Sequence, residues 1–151
     1  MRRPQKVVAY IIKDGRLVVL RHADLPWDEA GLQVPAGTMK PGELPEEAVL
    51  REAREETGLE GLRIVQYLGV GEYDLRPYAD AIHARHYFHL TSDSEELPER
   101  WEAFEDNDGL RERIRFELYW IPLAKAHVIG AGQAAFLGRV DARPQPSRSD
   151  E

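Results

Sequence analysis

The sequence predicts an α/β fold, a mixed sheet that packs between helices, from three observations. The chain opens with two β-rich runs around an Asp-Gly turn, which is a strong hairpin signal. A charged segment with helical spacing follows, bounded by Pro45 and Gly58. Apolar runs with the alternation of strands lie beyond it. Strands that flank helical segments in this order are typical of a layered α/β domain.

Runs of β-branched and apolar residues predict three strands in the first part of the chain. These strands are residues 6–12, 17–21 and a short piece at 32–34. A helix is predicted to begin at Pro45, because proline suits the first helical position. It is predicted to end at Gly58, because glycine suits the left-handed cap. Ala48, Val49 and Ala53 would then face the core.

The second part is predicted to hold three more strands, at residues 63–69, 81–90 and 115–121. Residues 92–109 are strongly acidic and poor in strand-forming patterns, which predicts a long exposed loop. Residues 123–140 predict a helix, although Gly130 and Gly132 interrupt it. Residues 142–151 are rich in proline, serine and charge, which predicts a disordered tail. A single domain over residues 1–141 is therefore expected.

Composition narrows the functional classes. The chain has 151 residues, a formal net charge of −7 and no cysteine. The negative charge argues against binding to long nucleic acids, which requires a basic surface. The missing cysteines exclude disulfides and thiolate chemistry. The first apolar run is too short for a signal peptide and no run is long enough to span a membrane, so a cytoplasmic protein is expected.

The densest pattern lies between Gly37 and Leu59 and reads G-x5-E-x7-R-E-A-x-E-E-x-G-L. Its three carboxylates Glu52, Glu55 and Glu56 have spacings of three and four, so a helix brings them to one face. Like charges at this spacing repel by about 0.2–0.5 kcal/mol per pair, and the helix C-terminus also disfavours anions. A cation that offsets this cost is expected. Carboxylate oxygens favour Mg²⁺, with Mn²⁺ or Ca²⁺ as alternatives.

This segment resembles the signature box of the Nudix hydrolases, G-x5-E-x7-R-E-U-x-E-E-x-G-U, where U is a bulky aliphatic residue. All seven fixed positions match, and Ala53 departs from the preferred aliphatic residue. The resemblance implies a Nudix-type α/β/α sandwich with a mixed β-sheet. It also implies a metal-dependent hydrolase of a diphosphate linkage in a small nucleotide derivative, such as a sugar nucleotide or ADP-ribose. Alternatives are (oxidised) nucleoside triphosphates, dinucleoside polyphosphates or a non-catalytic nucleotide-sensing module.

The resemblance also implies roles for residues of the box. Glu55 and Glu56 would be metal ligands, and Glu52 would be a ligand or the general base. The backbone carbonyl of Ala36 would be a further ligand. Arg51 and Glu43 would pair and hold the loop against the helix. Together these residues would bind Mg²⁺, with Mn²⁺ as the alternative, and form the catalytic centre.

Residues outside the box are weaker candidates. For a further metal-binding carboxylate the first candidate is Glu117, with Glu105 and Glu112 as alternatives. Three residues are candidates for contact with the substrate: Trp27, Arg76 and His86. Trp27 packs against protein or stacks on a base, and both readings stay open. The expected partners are a small nucleotide and, as in many family members, a second copy in a homodimer.

Overall fold

The computed structural model describes residues 2–26, 31–105 and 114–140. Within these residues it contains seven strands, one α-helix and two short 3₁₀ helices. The strands are β1 (Gln5–Lys13), β2 (Arg16–His22), β3 (Ala36–Thr38), β4 (Leu62–Asp74), β5 (Ile82–Ser92), β6 (Arg100–Glu105) and β7 (Ile114–Pro122). The helix α1 is Pro45–Thr57, and the 3₁₀ helices are Leu123–Val128 and Leu137–Arg139.

The seven strands form one mixed sheet in the order β4-β5-β1-β2-β7-β6, and β3 pairs with β1. β1 and β5 run parallel, whereas the other neighbours run antiparallel. Helix α1 covers one face of the sheet, and residues after β7 cover the other. The mixed α/β sandwich predicted from the sequence is confirmed.

Strands β1 and β2 separate after their hairpin, and this separation makes room for the box loop. The two strands pair only next to the turn, from Ile12 to Leu17. Farther along, Gln33 pairs with Leu20 of β2, and the Pro35 carbonyl accepts a hydrogen bond from Ala9 of β1. The segment that leads into β3 is thus wedged into the sheet beside α1.

Helix α1 agrees with the prediction at both ends. Pro45 is its first residue, and Gly58 follows it with a φ of 70°, a backbone conformation that glycine adopts without strain. Ala48, Val49 and Ala53 are fully buried against the sheet. The apolar positions of the helix therefore fix which face the acidic residues present.

The prediction of an α-helix over residues 123–140 is wrong. Two 3₁₀ helices, joined by turns, occupy this segment. Ala131 has a φ of 54° and Gly132 a φ of 72°, and positive φ angles interrupt a right-handed helix. The segment nevertheless packs on the sheet, where the Phe136 ring stacks on Tyr87 with centroids 4.4 Å apart.

The exposed loop predicted for residues 92–109 is also partly wrong, because residues 100–105 form β6 and pair with β7. Strand β4 is longer than predicted and runs to Asp74. The tail predicted for residues 142–151 lies outside the described residues. In the described part of the chain, no helix is long and apolar enough to cross a membrane.

Candidate active site

A cleft of about 560 Å³ opens between α1 and the separated strands. This volume lies in the range of sites for small molecules and cofactors. Its lining combines acidic, basic and apolar side chains: Leu20, Gln33, Val34, Ala36, Lys40, Arg51, Glu52, Glu55, Glu56, Phe104 and Phe116. The three clustered carboxylates of the box and the backbone of Ala36 thus share one cavity.

The three carboxylates differ in their surroundings. The Glu52 side chain is only 16% exposed, whereas that of Glu55 is 57% exposed. Glu56 is half-buried, and its Oε2 accepts a hydrogen bond of 3.2 Å from the backbone N–H of Ala36. The Glu56 contact ties the helix to the loop that carries the Ala36 carbonyl.

Gly37 makes room for Glu52. A Cβ atom added at Gly37 would lie 2.1 Å from the Glu52 carboxyl carbon, a separation that no pair of non-bonded atoms tolerates. Any side chain at position 37 would therefore push Glu52 out of its place. Glycine is required here for space, because its φ is not among the positive values of the chain.

Arg51 is the centre of an ion-pair network at the base of the cleft. Its Nε and Nη2 donate to the two carboxylate oxygens of Glu43 at 2.7 and 2.9 Å. Its Nη1 donates to Glu52 at 2.8 Å and to Glu55 at 3.3 Å. Its Nη2 also donates to the Thr38 carbonyl at 3.1 Å. A planar guanidinium satisfies this fork geometry, and an ammonium group does not.

The network fixes the charge of its members. Hydrogen bonds from Arg51 and from the Lys40 backbone N–H lower the pKa of Glu43 to about 2. The same contact with Glu43 raises the pKa of Arg51 above its ordinary value. Both groups are therefore charged at every pH at which the protein is expected to work, and the loop stays tied to α1.

The donor atoms around the cleft fit a hard divalent cation. They are carboxylate and carbonyl oxygens, the ligands that Mg²⁺ and Mn²⁺ accept. Among the described residues no three acidic or histidine side chains converge closely enough to hold an ion as they stand. The Arg51 contacts explain this, because they draw Glu52 and Glu55 towards the guanidinium. The exposed Glu55 can change rotamer without disturbing the core.

The candidates outside the box do not gather at this cleft. Glu117 lies in β7 and is not among the residues that line the cleft. Glu117 forms ion pairs with Arg21, at 3.1 Å, and with Arg100. Its position does not support a role as metal ligand beside Glu52 and Glu56. Of the alternatives, Glu105 is the last residue of β6, and Glu112 lies outside the described residues.

The substrate candidates also lie elsewhere. The Arg76 guanidinium binds the Asp74 carboxylate at 2.7 and 2.9 Å in an exposed turn. The His86 ring contacts Tyr67 Oη at 3.1 Å and Gln5 Oε1 at 2.9 Å. Neither residue lines the cleft, so their positions do not support contact with a substrate bound there. Trp27 lies outside the described residues.

Sequence reasoning missed the apolar wall of the cleft, which consists of Leu20, Phe104 and Phe116. The three residues belong to β2, β6 and β7, and only strand pairing brings them together. Phe104 lies in the segment that was expected to be a loop. The only sequence signal for a strand there is the alternation of apolar Trp101 and Ala103 with charged neighbours.

Comparison with known proteins gives the family. A model of the NUDIX domain matches residues 2–140. An RNA pyrophosphohydrolase from Gluconobacter oxydans (strain 621H) is 40% identical over 74 residues, which are 48% of this chain and 42% of that protein. The chain therefore spans less than half the length of this curated relative.

Solved structures agree on the fold. A MutT NUDIX hydrolase from Burkholderia pseudomallei superposes with a TM-score of 0.66 at 19% identity, over 93% of this chain and all of the other. A UDP-X diphosphatase superposes with a TM-score of 0.61 at 17% identity, over 92% of this chain and 63% of the other.

With the family model matching nearly its whole length, this chain belongs to the NUDIX domain family. The predicted enzyme class, a Nudix diphosphatase, is supported by that match together with the curated relative.

Proposed function

We propose that the chain is a divalent-metal-dependent diphosphatase that cleaves a diphosphate linkage in a small nucleotide derivative, a nucleoside diphosphate joined to another group. The composition of the cleft carries the proposal. Glu52, Glu55 and Glu56 share it with an apolar wall that contains Phe104 and Phe116. A carboxylate cluster meets an anionic diphosphate through bridging cations, and aromatic side chains suit a nucleobase.

Each group has a distinct task in this proposal. Glu55, Glu56 and the Ala36 carbonyl would hold Mg²⁺, or Mn²⁺ in its place. When bound, the cations polarise the phosphoryl oxygens and lower the pKa of the attacking water. Glu52 would serve as a further ligand or take the proton of that water. Arg51 would orient the Glu52 carboxylate through its hydrogen bond of 2.8 Å. Lys40 lines the same cleft, where its exposed ammonium can attract substrate phosphate.

The test is a mass-spectrometric product screen with purified protein and Mg²⁺. The panel contains ADP-ribose, sugar nucleotides, dinucleoside polyphosphates, and normal and oxidised nucleoside triphosphates. Cleavage of one class at a diphosphate bond is the expected result. Tight binding without any product, with Mg²⁺ and again with Mn²⁺, would overturn catalysis and favour a nucleotide-sensing module.

A second candidate follows from the curated relative, whose name specifies RNA as its substrate. Release of pyrophosphate from a 5′-triphosphorylated RNA belongs to the same chemistry. A short RNA of this kind is therefore included in the panel, beside a nucleoside triphosphate. Because the net charge of the chain is −7, we expect the small substrates to react faster. A clear preference for the RNA would replace the first proposal by the second.

A cytoplasmic location and a homodimer stay predictions from the sequence. Light scattering on the purified protein tests the oligomeric state. A mass of about twice 17.2 kDa would indicate the dimer.

A further inference from the structure

The segment after β7 contacts the residues that lead into the box in two ways. The Gly130 N–H donates to the Leu32 carbonyl at 2.9 Å, and the buried side chain of Gln133 reaches Val34. Gln133 is 6% exposed and lies on the face of the sheet opposite α1. Its Oε1 accepts a hydrogen bond of 2.8 Å from the backbone N–H of Val34. Val34 is 1% exposed and lies in the segment that leads into β3, between the separated strands β1 and β2. A side-chain oxygen thus satisfies a buried backbone donor.

Gln133 is itself held in place on its backbone side. Its carbonyl accepts a hydrogen bond from the Tyr10 hydroxyl, and its N–H donates to the Gly130 carbonyl at 3.0 Å. Tyr10 is fully buried in the centre of β1, and its hydroxyl also accepts from the Phe136 N–H at 3.3 Å. The side-chain amide therefore projects from an anchored backbone and cannot follow Val34 if that residue moves.

Val34 is two residues before Ala36 and three before Gly37, so a shift of Val34 is expected to act on both, although β3 also pairs with β1. Pro35 between them has a fixed φ, and its carbonyl is bound by Ala9 at 2.8 Å. Ala36 in turn donates to Glu56, and Gly37 abuts Glu52. A continuous series of short contacts therefore links Gln133 to two of the clustered carboxylates.

We propose that Gln133 is a positioning residue for the candidate metal site: it holds Val34 so that the Ala36 carbonyl and the Glu56 carboxylate face the same cation. The proposal rests on the proposed function, because it presumes that the carboxylates bind a divalent ion. It assigns a role in the site to the segment after β7, which carries none of the acidic ligands.

The variant Gln133→Met tests this role, because it keeps the volume and removes the acceptor. Gln133→Glu is the rescue, since a carboxylate oxygen can accept from Val34 at the same reach. Tyr87→Phe is the matched control. It removes a hydrogen bond of 3.3 Å to the Gly132 carbonyl in the same segment without touching Val34.

Two measurements are made on the substrate-free protein: Mn²⁺ affinity by calorimetry and amide hydrogen exchange at Val34 and Ala36. In Gln133→Met we expect faster exchange at both amides and Mn²⁺ binding that is weaker by about tenfold or more, as for other residues that orient metal ligands. Gln133→Glu should recover most of the affinity, and Tyr87→Phe should match the wild type. If Gln133→Met does not fold, Gln133→Asn, whose amide is one methylene shorter, replaces it.

Faster exchange with unchanged Mn²⁺ affinity in Gln133→Met would overturn the proposal and leave Gln133 a purely structural residue. An equal loss of affinity in Tyr87→Phe would also overturn it, because general loosening of the segment would then explain the effect. Absence of Mn²⁺ binding in the wild-type protein would instead contradict the proposed function. The two failures are therefore distinguishable.

Discussion

The two faces of the sheet are built in different ways. The face under α1 carries the acidic cluster, whose carboxylates Glu52, Glu55 and Glu56 lie close together in sequence. The opposite face is covered by residues 123–140, which are attached through contacts of long sequence separation. Tyr10 binds Gln133, Arg85 binds the Ala131 carbonyl at 2.6 Å, and Arg139 binds the Leu68 carbonyl at 2.8 Å. In the proposed function, one face would carry the catalytic groups, and the other would carry the residue that positions them.

The largest effect is expected on the face under α1, from the variant Glu56→Gln. The amide keeps the size of the side chain but loses the charge that a divalent cation requires. We expect kcat to fall on the order of 10²–10³-fold, as for other groups that stabilise charge in a transition state. Thermal unfolding should stay close to that of the wild type. Glu46→Gln, an exposed position of the same helix, is the control.

Steady-state kinetics and calorimetric melting measure both quantities. Full activity in Glu56→Gln would show that the Glu56 carboxylate takes no part in catalysis. Equal losses in Glu56→Gln and Glu46→Gln would show that the effect belongs to the charge of the helix as a whole.

Gly37→Ala tests the fit between the loop and the helix. The new Cβ would lie 2.1 Å from the Glu52 carboxyl carbon, so Glu52 must move. A displacement of about 1 Å in a catalytic group costs about 10²-fold in rate, and we expect kcat/KM to fall by that order. Gly138→Ala is the control, because a Cβ there meets no atom within 4 Å. Similar activity in both alanine variants would contradict the tight fit.

Phe136→Ala tests the framework face. The half-buried Phe136 ring stacks on Tyr87 and covers Gly69 and Gly71, where added Cβ atoms would meet it at 2.9 and 3.0 Å. We expect the free energy of unfolding to fall by about 2 kcal/mol, below the cost for a fully buried phenylalanine. Turnover per folded molecule should change little, because the hydrogen bond from the backbone N–H of residue 136 to the Tyr10 hydroxyl remains.

Urea unfolding of Phe136→Ala measures this loss, with Tyr78→Ala as the control. Tyr78 is 95% exposed, and its removal should cost less than about 0.5 kcal/mol. A loss of turnover in Phe136→Ala without a loss of stability would contradict the division between the two faces.

The smallest effect concerns the pH dependence of the Glu43–Arg51 pair. The folded-state pKa of Glu43 is lowered to about 2 from an ordinary 4.5. The pair therefore contributes its full stability above about pH 4.5 and loses it as the pH falls towards 2. The stability difference between wild type and Glu43→Gln should be constant from pH 5 to 8 and shrink below pH 4.5.

Urea unfolding at several pH values measures this difference. The variant Glu60→Gln, at an exposed position, is measured beside it to show the general effect of removing a surface carboxylate. A difference that shrinks already between pH 7 and 5 would show that the Glu43 carboxylate titrates near neutrality and is not held by Arg51.

The sequence predicted the local features well, because each depends on residues near one another in the chain. The Asp14-Gly15 hairpin and the bounds of α1 follow from turn and cap chemistry that acts within a few residues. The shared face of Glu52, Glu55 and Glu56 follows from helical spacing alone. These parts of the fold and of the site needed no knowledge of tertiary contacts.

The non-local features could not be predicted in the same way. Strand β6 lies in an acidic segment and is stabilised by pairing with β7. The wall of Leu20, Phe104 and Phe116 depends on that pairing. The segment after β7 does not form a continuous helix, since Ala131 and Gly132 have positive φ angles. The contact of Gln133 with Val34 spans 99 residues. No periodicity in the sequence encodes such a contact.

The most direct test of metal-dependent hydrolysis at these carboxylates is the reaction of the best substrate of the panel in H₂¹⁸O, with Mg²⁺ or with EDTA. We expect one ¹⁸O atom in one phosphate-containing product and formation of that product only with the divalent cation. In Glu56→Gln we expect the rate of formation to be lower on the order of 10²–10³-fold. Hydrolysis that proceeds equally in EDTA, or at the full wild-type rate in Glu56→Gln, would contradict a metal-dependent diphosphatase built on these carboxylates.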